Sequence, residues 1–152
     1  MQDVFISYKS EERAYANRVR SALAYNGISC WMAPESIGAG GSFPSEILKG
    51  IRQCPIFLLL LSPMAQESEW IPREIDIAIS AGRIIIPFMI KDCPLSDAFS
   101  FYLSQMKMRC MDEKNPDASI QELAEEIRSM LQKRDADIQE FGEKVKATFQ
   151  AK

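Results

Sequence analysis

An unbroken apolar run, Ile56–Leu61, lies between Pro55 and Ser62-Pro63. A run so short, with no polar alternation, predicts a strand buried on both faces, as in a parallel sheet covered by helices. A helical pattern follows. Ser68 is its predicted N-cap, Glu69 suits the positive end of the dipole, Pro72 falls early enough to lose no helical hydrogen bond, and Gly82 supplies the stop. Ile71, Ile75, Ala78 and Ile79 recur at i, i+4, i+7 and i+8, a stripe predicted to face the sheet, with Arg73, Asp76 and Ser80 in solvent.

The same alternation of patterns runs through the chain. Val4–Tyr8 predicts a first strand, and Ser10 caps a helix with Glu11 and Glu12 in its first turn and Tyr15, Val19, Ala22 and Leu23 inward. Asn26-Gly27 ends that helix, and Ile28–Trp31 predicts a second strand. After Ser42, a further cap, Phe43, Ile47, Leu48 and Ile51 mark a buried helix face. Ile84–Phe88 predicts a fourth, buried strand, in which Pro87 argues for a strand end or a position near a sheet edge. Lys91–Gln105 reads weakly, with one short helix around Asp97–Leu103, and Lys107–Met111 predicts a last edge strand. Asn115-Pro116-Asp117 is a turn, and from Ser119 a helix carries Ile120, Leu123, Ile127 and Leu131 inward. Five strands alternating with helices at βαβ spacing imply an α/β fold with parallel pairing and right-handed crossovers. From Arg134 the period continues through Ile138, Phe141, Val145 and Phe149, interrupted by Gly142 and too thin to make a core. The expected division is a domain over 1–133 and a helical or linker-like tail over 134–152.

Composition narrows the chemistry. The 152 residues, 47% hydrophobic and 26% charged, suit one soluble domain. A net charge of −3 gives no electrostatic footprint for nucleic acid or an anionic membrane. The N-terminus does not read as a signal peptide, and no apolar run reaches membrane-spanning length. Cys30, Cys54, Cys93 and Cys110 lack metal-site spacing and read as small apolar residues in a reducing compartment, so the expected location is cytoplasmic. The chain has no histidine, which excludes Ser-His-Asp and Cys-His catalysis and His-ligated zinc. Any enzymatic chemistry runs on carboxylates, hydroxyls, Lys or Arg.

Two stretches are candidates for it. Trp70 and Glu74 stand four apart on the helix after the buried strand, where open α/β sheets place ligand sites. Spacing alone also allows a core tryptophan beside an ordinary surface carboxylate, and favours that plainer reading. The loop Met32–Ser42, MAPESIGAGGS, holds Gly38, Gly40 and Gly41. Its glycines allow a phosphate cradle or a surface loop that contacts a partner, and neither GxxxxGK[ST] nor GxGxxG is present.

Three motifs in order carry a resemblance. Val4-Phe5-Ile6-Ser7-Tyr8 with Lys9 resembles the first box of Toll/interleukin-1 receptor (TIR) domains of the bacterial kind. Cys30-Trp31-Met32-Ala33-Pro34-Glu35-Ser36-Ile37 with Gly40 is similar to the second box and the family's BB loop. Leu61-Ser62-Pro63 leading to Trp70-Ile71-Pro72-Arg73-Glu74 resembles the WxxxE pattern of the enzymatic members. The resemblance covers roughly residues 1–133.

It implies a flavodoxin-like three-layer sandwich with a central five-stranded parallel sheet. It also implies cleavage of NAD+ at the nicotinamide–ribose bond, giving ADP-ribose or a cyclic isomer, in bacterial immune signalling or NAD+ depletion. Glu74 matches the family's catalytic Glu. Tyr8, Lys9, Trp31, Pro34, Glu35, Ile37, Ser62 and Trp70 match substrate-contacting positions, and Ile37, Gly38 and Gly40 a self-association loop. Glu35 departs from the Arg or Lys that many bacterial members carry, and a carboxylate there repels phosphate. NAD+ is substrate, so no cofactor or metal is implied. The implied partners are other TIR domains and a sensor domain outside this chain.

The chemistry is self-consistent without histidine. The pyridinium leaves as neutral nicotinamide and needs no general acid, while one carboxylate stabilises the ribosyl cation. The alternatives are a non-enzymatic TIR–TIR interaction module and a nucleoside deoxyribosyltransferase with the same sheet plan. A phosphoacceptor receiver domain lacks its acidic residues here.

Overall fold

The structure is a computed structural model and describes residues 2–33 and 43–150. Its elements in chain order are β1 (Val4–Ser7), α1 (Arg13–Tyr25), β2 (Cys30–Trp31), α2 (Phe43–Gln53), β3 (Ile56–Leu61), α3 (Trp70–Ser80), β4 (Ile84–Met89), α4 (Asp97–Leu103), β5 (Arg109–Cys110) and α5 (Pro116–Gln150). The five strands form one sheet in the order β2-β1-β3-β4-β5, every pair parallel. This is the α/β, flavodoxin-like arrangement, with helices on both faces.

Side-chain alternation along the strands builds the three layers. Val4, Ile6, Leu58, Leu60, Ile86 and Phe88 point to the α1 and α5 side, against Val19, Leu23, Ile120 and Ile127. Phe5, Phe57, Leu59, Leu61 and Met89 point the other way, against Ile47 and Ile51 of α2, Ile71 and Ile75 of α3, and Phe99 of α4. All six side chains of β3 are fully buried.

Local signals hold where they supply backbone hydrogen bonds. The Ser68 hydroxyl accepts from the amides of Trp70 and Ile71, capping α3, and Ser96 caps α4 through Phe99. Gly27 and Gly82 sit at φ +76° and +70°, the left-handed conformation that ends a helix at little cost to glycine.

Other expectations are corrected. Ser10 does not cap α1: its hydroxyl bonds Glu11, residues Ser10–Glu12 form a 3₁₀ turn, and the α-helix begins at Arg13. Ile79 is largely exposed, because α3 turns only Ile71, Ile75 and Ala78 fully inward. Pro87 does not end β4, but it does lie near the sheet edge. It faces Leu59 of β3, while β5 pairs only with Phe88 and Met89, so no strand flanks Pro87 on the outer side. Ile84, below that pairing, is exposed. α5 begins at Pro116 rather than Ser119 and runs through Gly142 without a break. The cap at Ser42 lies outside the described residues.

On α2, Gly50 meets the aromatic stack. Trp31 stacks on Phe5 with ring centroids 4.8 Å apart, and Phe5 stacks on Phe57 at 5.4 Å. A Cβ at Gly50 would fall 2.8 Å from Trp31 Cε2 and 3.2 Å from Phe5 Cδ2. Helix propensity alone makes Gly50→Ala stabilising by about 1 kcal/mol. Overpacking against rigid rings outweighs that gain, so the substitution is expected to destabilise by about 1–2 kcal/mol in denaturant unfolding. A variant more stable than the parent would show that the Trp31 ring is free to move.

Candidate active site

β1 lies at the switch point of the sheet, with β2 on one side and β3 on the other. In such sheets the crevice outside the C-terminal strand ends is where ligands bind. Ser7 is the last residue of β1, buried at the end of an apolar strand. Its hydroxyl donates to Glu74 Oε1 at 3.0 Å. α3 thus delivers Glu74 from its second turn to the tip of the central sheet, on the side where Ile71 and Ile75 anchor the helix.

Glu74 is only partly exposed. Desolvation pushes its pKa up to about 7, and the Ser7 hydroxyl, which favours the anion, pulls in the opposite direction. The result is a carboxylate poised to exchange its proton near neutrality, with one oxygen fixed by a neutral donor.

Trp70, one turn earlier, is 45% exposed, so it is not a core residue. The Arg73 guanidinium, expected to be merely solvated, lies 5.3 Å over its ring. The α3 entrance therefore presents an accessible aromatic surface one helical turn from the carboxylate. Tyr8 continues β1: its hydroxyl donates to the Ala33 carbonyl at 3.3 Å, tying the strand end to the start of the loop after β2. Lys9 pairs with Glu11 at 3.8 Å at the surface. Trp31 is half-buried and held by the aromatic stack on Phe5.

Ser62 differs from a free ligand-binding hydroxyl. It is fully buried, donates to Glu12 Oε1 at 2.5 Å and accepts from the Ala65 amide at 2.9 Å. Glu12, read from sequence as a first-turn residue of α1, is itself buried. Its Oε2 lies 3.7 Å from Lys91 Nζ and has no hydrogen-bond partner among the described residues. The strand tips therefore carry two carboxylates, Glu74 beside β1 and Glu12 beside β3. The Trp70–Glu74 spacing singles out the first of these, whereas no local sequence signal points to Glu12. Pro34, Glu35, Ile37, Gly38 and Gly40 lie outside the described residues. Burial pushes the Cys30 thiol up to about 12 and Cys54 to about 11, which keeps both unreactive.

No described helix is long and apolar enough to cross a membrane. Comparison with known proteins agrees with the fold. The chain is 32% identical over 96 residues to the NAD(+) hydrolase sarm1 of Drosophila melanogaster, a match covering 57% of this chain and 7% of that protein. The chain thus spans a small fraction of that relative's length. The TIR domain of the Toll-related receptor TRR-2 from Hydra magnipapillata superposes with a TM-score of 0.69 at 22% identity, covering 84% of this chain and 99% of that one. A TIR domain of the RPS4 and RRS1 heterodimer superposes with a TM-score of 0.64 at 13% identity, covering 85% and 97%. The sequence profile of the TIR domain matches residues 4–124. With the β2-β1-β3-β4-β5 sheet and the profile spanning all five strands, this chain belongs to the TIR domain family.

Proposed function

We propose that this chain is an NAD+ nucleosidase that breaks the nicotinamide–ribose bond, with Glu74 as the catalytic residue. The observation that carries the reading is the partly desolvated Glu74 carboxylate held by Ser7 at the switch point of the sheet. The similarity to an NAD+ hydrolase over part of the chain supports the same substrate. In this reading the C1′–N bond breaks heterolytically and its electron pair leaves with neutral nicotinamide. The Glu74 anion stabilises the positive charge left on the ribose. Water then adds to C1′, and a carboxylate with a pKa near 7 is matched to take its proton. Capture by the other end of the same molecule gives the cyclic isomer instead. Trp70 offers a face for a base, and Tyr8, Lys9, Trp31, Pro34, Glu35 and Ile37 are the further substrate-contacting residues of this reading. Ser62 acts through Glu12 rather than by touching substrate. Ile37, Gly38 and Gly40 serve self-association, as TIR domains pair in the RPS4–RRS1 heterodimer. A bacterial defence role belongs to the same proposal.

Glu74→Gln tests the central assignment. Nicotinamide release from NAD+ is expected to fall at least about 100-fold, roughly 3 kcal/mol of transition-state stabilisation. The folded protein holds the Glu74 proton up to about pH 7, whereas the unfolded chain releases it in the ordinary carboxylate range. Between those values the unfolded state binds fewer protons, so wild-type stability falls as pH rises through the window and levels off above it. The Gln variant lacks this loss and is expected to be more stable than the parent at pH 8 by about 1–2 kcal/mol. Near-parental nicotinamide release by the folded variant refutes the proposal; release of free base from deoxynucleosides instead favours a deoxyribosyltransferase.

Ser7→Ala removes the one hydroxyl that favours the Glu74 anion. The rising limb of the activity–pH profile is expected to move upward by about one unit, with activity recovered at high pH. An unmoved profile would show that Glu74 ionisation does not control the rate.

Self-association through the loop after β2 predicts specific activity that climbs with protein concentration. Ile37→Asp is expected to flatten that climb and lower activity by about tenfold or more at a fixed concentration, because it places a charge in an apolar contact. Specific activity constant across a wide dilution series would mean that the domain works alone.

A further inference from the structure

α5 is 35 residues long, but only its first half packs on the domain. Ile120, Ala124, Ile127 and Leu131 form one stripe along the helix, the first three buried and Leu131 packed against the same core. The stripe continues in phase past the domain. Ile138 falls seven residues after Leu131, followed by Phe141, Val145 and Phe149 on the same face. These four side chains are 55%, 69%, 37% and 73% exposed. Single exposed apolar residues are ordinary, but a row of four on one helix face, spaced three, four and four residues apart, is a partner surface.

Two features show that the free half is made for pairing. From residue 134 to 150 the helix runs about 25 Å past the domain at 1.5 Å per residue, with its apolar row uncovered by the described residues. Gly142 sits in its middle, where glycine costs about 1 kcal/mol relative to alanine. No atom of the described chain lies within 4 Å of where its Cβ would be. Gly142 leaves a notch bordered by Val145, Lys146 and Phe149, able to seat a ring from a facing helix.

The charges identify the occupant. At 100° per residue, Asp137 and Lys144 share one flank of the apolar row, and Asp135 and Lys146 share the other. A twofold axis crossing the helix between residues 140 and 141 sets Asp137 opposite Lys144 of a second copy and Asp135 opposite its Lys146. The same axis places Ile138 between Phe141 and Val145 of the other helix, and Phe141 level with its Glu140, between its Ile138 and Gly142. A parallel pair would instead set like charges level with like. Neither Asp137 nor Lys146 has an ionic partner within the described chain, Lys144 reaches only Glu140 at 3.1 Å, and Asp135 only its neighbour Arg134 at 3.6 Å.

We infer that the free half of α5 is a self-association element, pairing with the same helix of a second copy as an antiparallel two-helix coil. This inference is independent of the catalytic assignment and of association through the loop after β2. The interface is small, so the expected dissociation constant is about micromolar or weaker.

Sedimentation of the full chain from about 1 to about 200 µM tests it. The Ile37→Asp background removes the loop contact, and dimer is expected to persist there. Phe141→Asp is expected to raise the dissociation constant at least about tenfold with the thermal midpoint of the domain unchanged, since Phe141 touches no core residue. Asp135→Lys is expected to weaken the dimer, and adding Lys146→Glu to restore it, because only the antiparallel register puts these two positions together. A monomer across the whole range overturns the inference. So does equal dimerisation of Phe141→Asp and parent, or a double charge exchange that fails to restore association.

Discussion

The burial of β3 on every side is the constraint from which the rest of the structure follows. Its two neighbours β1 and β4 satisfy its backbone, and its six apolar side chains demand cover on both faces. Two helical layers supply that cover, and strands joined by helices that cross a sheet face run parallel. Parallel strands in this order bring the tips of β1 and β3 to one edge, with the strand order reversing between them. Ser7 ends β1 and Ser62 directly follows β3, each hydrogen-bonded to a carboxylate. A requirement of apolar packing thereby fixes where charge can be held at the margin of the core.

The two carboxylates are held differently. Glu12 has a cation, Lys91, near one oxygen and a hydroxyl on the other. Glu74 has the Ser7 hydroxyl and a desolvating environment that raises its pKa. Desolvation of an anion works against folding, and α3 opposes it with the burial of Ile71, Ile75 and Ala78, each contributing apolar area on the side facing the sheet. The two directions separate the roles: the Arg109 guanidinium lowers the pKa of Glu126, whereas burial raises that of Glu74, as at functional carboxylates.

α5 shows the same apolar stripe in two settings. Where it meets the sheet and α1, it is core; beyond Leu131 nothing in the described chain covers it, yet the period does not change. Continuity of phase means that one helix both closes the domain and presents a surface along a single line.

The strongly periodic parts of the fold were readable from sequence. Continuous apolar strands, the Ser68 cap, the Asn26-Gly27 and Gly82 stops and the α3 stripe act through contacts a few residues apart, so local order determines them. Ser10 misled for a related reason: a hydroxyl that satisfies its neighbour Glu11 cannot also cap, and sequence does not rank the two. The WxxxE spacing located Glu74, but the state of its carboxylate depended on Ser7, 67 residues away. Nothing local hides Glu12; only the meeting of its turn with Ser62 and Lys91 buries it. Pro87 read as an edge signal, and the short β5 beside it let the strand stay interior. Sequence determined which segments are helix or strand and which faces are apolar, since those rest on neighbours in the chain. Tertiary structure alone decided which polar groups lose water and which hydroxyl each one meets, because those depend on residues that only folding brings together.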